Sequence, residues 1–167
     1  MRWIGCSNYN TAELERAIRT SKENNFIQYQ CVQNEFNLYT REKYDYDLAE
    51  VMQGNGLSLL PFYSLAAGFL TGKYRSEDDL KKSTRGEKIG QRYLNLKGHS
   101  ILHAMDRAAE REGATLTEIA LAWIVAQPGV VGALASASSP EQVAELANGV
   151  QLELSAESLR ELNAAGA

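Results

Sequence analysis

The chain has 167 residues, a formal net charge of −4 and 44% hydrophobic residues, which suits one ordinary globular domain. Acidic and basic residues are interspersed, so neither nucleic acid nor a membrane surface is an expected partner. No apolar run approaches the roughly 20 residues that span a bilayer, and the N-terminus has no signal-peptide pattern. These features predict a soluble, cytoplasmic protein.

Four short apolar runs predict the strands of a parallel sheet, because each is followed by a turn signal and then by a helical pattern. The predicted strands cover residues 3–6, 27–33, 57–61 and 130–135. Strand-helix units in tandem are typical of a parallel barrel segment, in which the functional loops follow the carboxyl ends of the strands. Binding residues are therefore expected directly after each strand.

Capping signals mark where the predicted helices begin. Asn10 with Glu13, and Thr115 with Glu118, have the spacing of a capping box, and Ser139 precedes a proline that suits the first helical position. The predicted helices cover about 10–24, 44–53 and 100–111, with three more that start near 115, at 139 and after 155.

The segment after the third predicted strand contains a glycine-punctuated loop that ends in a cation. Gly68 and Gly72 allow the backbone to approach a ligand closely, and Lys73 adds a positive charge. From these residues alone, a phosphate-binding loop and an ordinary surface loop with a solvated lysine are about equally supported. The chain then shows no clear periodicity to about residue 98, which predicts a binding loop or a mobile flap.

The cysteines and histidines do not have the pattern of a metal site. Cys6 and Cys31 lie in apolar runs without CxxC spacing, which favours reduced, partly buried thiols. His99 and His103 have the spacing of ligands on one helix face, but a zinc site needs about three or four ligands and no third is evident. We expect no metal.

Taken together, several segments resemble the second half of the aldo-keto reductase family. They are residues 2–9, 32–38, the GFLTGKYR loop at 68–75, and 134–142, in the family's order and at compatible spacing. The resemblance implies an α/β fold, a parallel (βα)4 half of a TIM-type (β/α)8 barrel that begins at the fifth strand and forms one domain over residues 1–167. A complete barrel typically needs about 250 residues.

The resemblance assigns one group of residues to the nicotinamide end of a dinucleotide. Ser7, Asn8 and Gln33 match the family positions that bind the carboxamide, although such side chains can also cap local backbone. Phe62 stands where the family usually has Tyr or Trp stacked on the nicotinamide ring. Leu65 ends a motif that is usually Tyr-Ser-Pro-Leu, whose backbone N–H contacts would survive the changes seen here.

A second group of residues would bind the phosphates and the adenosine. Lys73 and Arg85 match the basic residues that this branch of the family directs at the pyrophosphate and the adenosine phosphate. Ser138, Gln142 and Glu145 match positions around the adenosine, at a helix N-terminus that favours an anion. Leu146 follows Glu145 where the family commonly has asparagine, which weakens the assignment of these residues to the adenine. The basic residues favour NADP (NADPH), with NAD as the alternative.

No catalytic residue can be assigned by the resemblance, because the family's Asp, Tyr, Lys and His lie on the first four strands. The leading hypothesis is therefore the cofactor-binding C-terminal half of an NADP-dependent aldo-keto reductase, which in the complete enzyme reduces aldehydes or ketones by hydride transfer. Its expected partners are a nicotinamide dinucleotide and either a second copy or a complementary N-terminal half. The alternative is a truncated, non-catalytic half-barrel that acts as a binding or assembly module.

Overall fold

A three-stranded parallel sheet in the order β1, β2, β3 forms the N-terminal part of the fold. The strands are β1 Gly5–Ser7, β2 Cys31–Gln33 and β3 Ser58–Leu59. In register, Cys6 lies beside Val32, and Val32 lies beside Leu59. The predicted α/β class with a parallel sheet is confirmed.

Helices make up most of the remaining structure, which is a computed structural model that describes residues 2–44, 46–81 and 83–166. The α-helices are α1 Thr11–Glu23, α2 Tyr46–Gly54, α3 Glu77–Leu80, α4 Gly86–Tyr93, α5 Leu96–Glu112, α6 Leu116–Val125, α7 Pro140–Gln151 and α8 Ala156–Ala165. Short 3₁₀ segments cover Glu42–Tyr44 and Ala66–Thr71. Residue 45, inside the helix predicted for 44–53, lies outside the described residues.

The predicted capping signals are confirmed. The Asn10 side chain accepts from the backbone N–H of Glu13 at 2.9 Å, and the Glu13 carboxylate accepts from the N–H of Asn10 at 3.0 Å. Thr115 begins α6 with a second capping box, and Ser139 caps α7 ahead of its proline. These helix starts follow from residues close together in the chain, because a cap satisfies the free N–H groups of its own first turn.

The two faces of the sheet differ in burial. Cys6, Val32 and Leu59 belong to the buried core, whereas Gly5 and Ser7 on the opposite face of β1 are exposed. Much of the remaining core lies in α5 and α6, where Ile101, Leu102, Met105, Ile119 and Trp123 are almost completely buried. The helices therefore cover one face of the sheet and leave the carboxyl ends of β1 and β2 accessible.

The predicted fourth strand, 130–135, is wrong. Val130 forms only an isolated parallel bridge with Leu59. The Val131 N–H donates to the Leu59 carbonyl at 3.1 Å, and the Leu134 N–H donates to the Pro61 carbonyl at 2.9 Å. Between these bonds, the segment from Val131 to Leu134 advances by one residue more than the segment from Leu59 to Pro61. Such a bulge breaks the regular ladder of hydrogen bonds. The sheet has three strands within the described residues, so it does not establish the predicted half-barrel.

The predicted strand boundaries are also too wide. The strand predicted for 27–33 is confined to β2, and Ile27 is 60% exposed. The strands predicted for 3–6 and 57–61 correspond to β1 and β3, which are shorter or shifted. Short apolar runs predicted these strands, but a strand exists only where a neighbour supplies ladder hydrogen bonds.

The segment between residues 61 and 98, predicted to be irregular, contains several short helices. It contains the 3₁₀ segment Ala66–Thr71, then α3, α4 and the first turn of α5. Asn95 starts α5 earlier than predicted, because its side chain accepts from the Gly98 N–H at 3.0 Å. Short helices with local caps carry too few repeats for a clear periodicity, which is why the sequence pattern missed them.

Two features are absent from the described residues. Among them, no helix is both long enough and apolar enough to cross a membrane. The same part of the chain contains no group of three or more His, Cys, Asp or Glu side chains that could hold a metal ion.

Candidate functional site

Ser7, Asn8 and Gln33 meet at the carboxyl ends of β1 and β2. The Ser7 hydroxyl donates to the Gln33 carbonyl at 2.7 Å, and the Asn8 backbone N–H donates to the same oxygen at 3.1 Å. The Asn8 Nδ2 group donates to Ser7 Oγ at 3.2 Å. Asn8 has φ 60°, a left-handed conformation that asparagine tolerates better than most residues. The structure thus brings together the residues predicted to bind the carboxamide.

Phe62 lies at the same edge of the sheet. Its backbone N–H donates to the Asn34 carbonyl at 3.0 Å, and it forms an isolated parallel bridge with Glu35. Its half-buried ring lies 5.5 Å from the ring of Tyr63, centroid to centroid. Because parallel strands end at a common edge, Phe62, which follows β3, lies just beyond Gln33, which ends β2.

A buried asparagine supports this edge and was missed by the sequence analysis. Asn37 is completely buried, and its Nδ2 group donates to the Tyr63 carbonyl at 2.9 Å. Its Oδ1 atom accepts from the N–H groups of Tyr39 at 2.9 Å and Thr40 at 2.8 Å. One side chain therefore joins the loop after β2 to the loop after β3. The available signal was an amide residue between two apolar ones, four positions after the predicted strand.

The loop after β3 is held in a strained conformation. Tyr63, Ala66 and Ala67 have φ values of 55°, 48° and 56°, and Gly68 follows at 93°. Left-handed geometry costs a residue with a Cβ about 1 to 2 kcal/mol. The Leu65 carbonyl accepts from the Gly68 N–H at 2.8 Å, so Leu65 closes the turn. Such strain persists only where the surrounding structure fixes it, and it is concentrated at functional sites.

Lys73 lies folded back over this loop. A Cβ built on Gly68 would be 3.3 Å from the Lys73 Nζ, so the ammonium group lies close to the loop backbone. The same Nζ lies 5.2 Å from the centroid of the Tyr74 ring. Lys73 is exposed and forms no ion pair with any residue that the structure describes. Its charge is therefore available to an anion.

Arg85 occupies a different element from Lys73. It is exposed and lies at the N-cap position of α4, without a side-chain capping hydrogen bond. In the described parts of the chain it has no carboxylate partner. Two cations without ion-pair partners among the described residues therefore follow β3, Lys73 before α3 and Arg85 after it.

Ser138 and Gln142 form a local hydrogen-bonded pair at the start of α7. The Gln142 Oε1 atom accepts from the backbone N–H of Ser138 at 2.8 Å and from its hydroxyl at 3.1 Å. Glu145 instead accepts from the Thr115 hydroxyl at 2.7 Å, which connects α7 to the cap of α6. Because the segment before α7 runs parallel to β3 at Val130, the N-terminus of α7 follows the carboxyl edge of the sheet.

Similarity to known proteins identifies the family of this chain. The model of the aldo/keto reductase family matches residues 1–167. The chain belongs to the aldo/keto reductase family. It is also similar to a solved structure, the thermostable aldo-keto reductase Tm1743 in complex with the inhibitor epalrestat, with 27% sequence identity and a TM-score of 0.71. That match covers 99% of this chain and 48% of that chain, so this aldo/keto reductase chain spans about half the length of its structural relative.

Within this aldo/keto reductase chain, Cys6 is not a candidate nucleophile. Burial, and to a lesser extent the neighbouring Cys31, raises the pKa of the Cys6 thiol to about 11. A thiol with a raised pKa stays protonated at neutral pH, whereas the thiolate is the reactive form.

Proposed function

We propose that this chain is the cofactor-binding half of an NADP-dependent oxidoreductase that reduces aldehyde or ketone groups. The observation that carries the proposal is the contact of Ser7, Asn8 and Gln33 at one edge of the sheet. Membership of the aldo/keto reductase family over residues 1–167 supports an oxidoreductase that uses a nicotinamide cofactor. When bound, the nicotinamide would supply the hydride.

The polar groups at this edge fit a nicotinamide carboxamide. A carboxamide both donates and accepts hydrogen bonds, and hydroxyl and amide side chains offer both functions. The Gln33 carbonyl already accepts from Ser7 and Asn8, which fixes the backbone of Gln33 and leaves its side-chain amide for a ligand. Phe62 offers a half-buried aromatic face for stacking on the nicotinamide ring.

The exposed cations fit the phosphate groups. Lys73 and Arg85 would pair with the pyrophosphate and with the 2′-phosphate that distinguishes NADP from NAD. Ser138 and Gln142 would contact the adenosine at the start of α7, where free N–H groups favour an anion. Glu145 would lie beside them, although its carboxylate already accepts from Thr115. NAD remains the alternative cofactor.

The proposed partners are a complementary N-terminal half of the family's barrel or a second copy of this chain. Large apolar side chains are exposed near both ends of the sheet: Trp3 at 72%, Phe26 at 62%, Ile27 at 60% and Val131 at 67%. Burying such side chains against another surface would stabilise an assembly. The same observation supports the second candidate, a non-catalytic assembly module.

Calorimetric titration with NADPH and NADH, on the chain alone and mixed with a family N-terminal half, tests the proposal. We expect measurable but weak NADPH binding to the chain alone and tighter binding to the mixture. We expect no turnover by the chain alone, because missing general-acid help typically costs about 10²- to 10⁴-fold. Absence of binding in both samples would favour the assembly module, and turnover by the chain alone would reveal chemistry assigned to none of its residues.

A further inference from the structure

Arg92 of α4 forms an ion pair with a carboxylate at the site edge. Its Nη2 atom donates to Glu35 Oε1 at 2.5 Å and to Thr40 Oγ1 at 3.3 Å. The Thr40 hydroxyl also donates to Glu35 Oε1, at 3.2 Å. The Glu35 side chain is 14% exposed and the Arg92 side chain 45%. The pair is thus partly shielded from water, so its attraction is screened less than that of a fully exposed pair.

Further contacts hold the same end of α4. The Tyr39 hydroxyl donates to the Arg92 carbonyl at 2.8 Å and accepts from the Asn95 Nδ2 group at 2.8 Å. The Tyr93 ring stacks on the Phe69 ring, with centroids 5.2 Å apart and planes 16° apart. Phe69 belongs to the strained loop that also carries Lys73. The C-terminal end of α4 is therefore attached both to the loop after β2 and to the loop after β3.

These contacts connect the two ends of the proposed cofactor site. Glu35 follows Gln33 by two positions and bridges to Phe62, so it is part of the nicotinamide end. Arg85 begins the helix that Arg92 closes, about two helical turns or roughly 10 Å away. The backbone hydrogen bonds of the helix connect these two ends. Loss of the pair at one end of α4 would therefore shift Arg85 at the other.

We propose that the Arg92–Glu35 pair is a latch that positions α4, and with it Arg85, relative to the strand ends. The inference rests on the proposed function, since it assigns the latch to the preference for NADP over NAD. Neither Arg92 nor Glu35 needs to touch the nucleotide. Both are positioning residues, because Arg85 supplies the charge that meets the 2′-phosphate and the latch fixes where that charge lies.

The variants Arg92→Gln and Glu35→Gln test the latch through the dissociation constants for NADP and NAD. Each should weaken NADP binding by about threefold to fivefold, the range expected for one modest ion pair, and leave NAD binding nearly unchanged. The double variant should be no weaker than either single variant, because both remove the same interaction. Arg92→Lys retains the charge and should recover part of the NADP preference.

Arg107→Gln is the matched control, since it removes an arginine that pairs with Glu161 between α5 and α8. It should leave the ratio of the two dissociation constants unchanged, even if it lowers stability. A general loss of stability would also leave that ratio unchanged. A chain that binds both nucleotides with the same ratio in Arg92→Gln as in the parent overturns the inference.

Hydrogen exchange separates failure of the latch from failure of the proposed function. If the parent binds neither nucleotide, alone or mixed with an N-terminal half, the proposed function is wrong, and exchange at the amides of α4 decides whether the latch exists. Arg92→Gln should then speed exchange in α4 and leave α7 as it was, because the described hydrogen bonds of the pair involve Thr40 and not α7. Unchanged exchange in α4 would overturn the latch in that case.

Discussion

The nicotinamide end and the phosphate end of the proposed site are built differently. At the nicotinamide end, Ser7, Asn8 and Gln33 are joined by hydrogen bonds of 2.7 to 3.2 Å. At the phosphate end, Lys73 and Arg85 are exposed, without ion-pair partners among the described residues. The first end is ordered before a ligand arrives, whereas the second must order flexible side chains on binding.

This difference has energetic consequences. Groups fixed in advance lose little conformational entropy on binding, whereas each immobilised long side chain costs about 0.5 to 1.5 kcal/mol. Exposed charges are also screened by salt over a distance of about 8 to 10 Å. Substitutions at the nicotinamide end should therefore act mainly on folding stability. Substitutions at the phosphate end should act mainly on affinity, and more strongly at low salt.

The largest effect is expected from Asn37→Leu, which should lower the free energy of unfolding by roughly 3 kcal/mol. Leucine cannot replace the hydrogen bonds to Tyr63, Tyr39 and Thr40, and each buried group left unsatisfied costs about 1 to 3 kcal/mol. Urea denaturation measures the change. Asn148→Leu, at an exposed position of α7, is the control and should change stability little. Equal stabilities of the two variants would show that the strand ends are not ordered by Asn37.

At the phosphate end, Lys73→Ala should weaken NADP binding by about 1 to 3 kcal/mol, because a charge-assisted hydrogen bond to phosphate is lost. Lys97→Ala is a matched control, since both ammonium groups lie 5.2 Å from a tyrosine ring centroid. Calorimetry at two salt concentrations should show a weaker salt dependence for Lys73→Ala alone. If both variants match the parent, Lys73 does not belong to the site.

The sequence predicted the structural features that depend on local signals. Asn10, Thr115 and Ser139 begin helices as expected, because a cap acts on its own first turn. The contact of Ser7 with Gln33 was predicted only through family resemblance, since no local pattern places two strand ends side by side.

The features that the sequence did not predict depend on residues that are distant in the chain. The segment 130–135 has the composition of a strand, but its hydrogen bonds to Leu59 and Pro61 are offset by one residue from a regular ladder. Asn37 resembles an ordinary loop residue until both loops that it joins are in place. The contact between Glu35 and Arg92 spans a long separation in the chain, and two charged residues so far apart carry no pairing signal in one sequence.

A smaller effect is expected from Ser7→Ala, which tests whether the nicotinamide end is ordered by its hydroxyl. The change removes the bond to the Gln33 carbonyl and the acceptor for Asn8, but Asn8 keeps its backbone bond to the same carbonyl. Because the site is exposed, water can replace the lost partner, and we expect a loss of about 0.5 to 1.5 kcal/mol in stability. A loss in NADP affinity without any loss in stability would instead make Ser7 a direct ligand contact.

The smallest effect concerns the attachment of the loop after β3 and its dependence on pH. Arg75 donates to both carboxylate oxygens of Asp106, at 2.6 and 2.7 Å, and to the Gly72 carbonyl at 3.1 Å. The hydrogen bonds from Arg75 hold the pKa of Asp106 below its ordinary value. A lowered folded-state pKa contributes stability that is complete above the unfolded value of about 3.9 and is lost as pH falls through the folded value.

The variant Asp106→Asn isolates this contribution. At neutral pH it should be less stable than the parent by about 0.2 to 1 kcal/mol, the range for a partly exposed ion pair. As the solution is acidified below about pH 4, the parent should lose this advantage, since protonated Asp106 no longer pairs with Arg75. Urea midpoints for both proteins at neutral and acidic pH measure the difference. A difference in stability that stays constant through the acidic range would mean that Asp106 acts by packing. The loop after β3 would then depend on neutral contacts, as the nicotinamide end does.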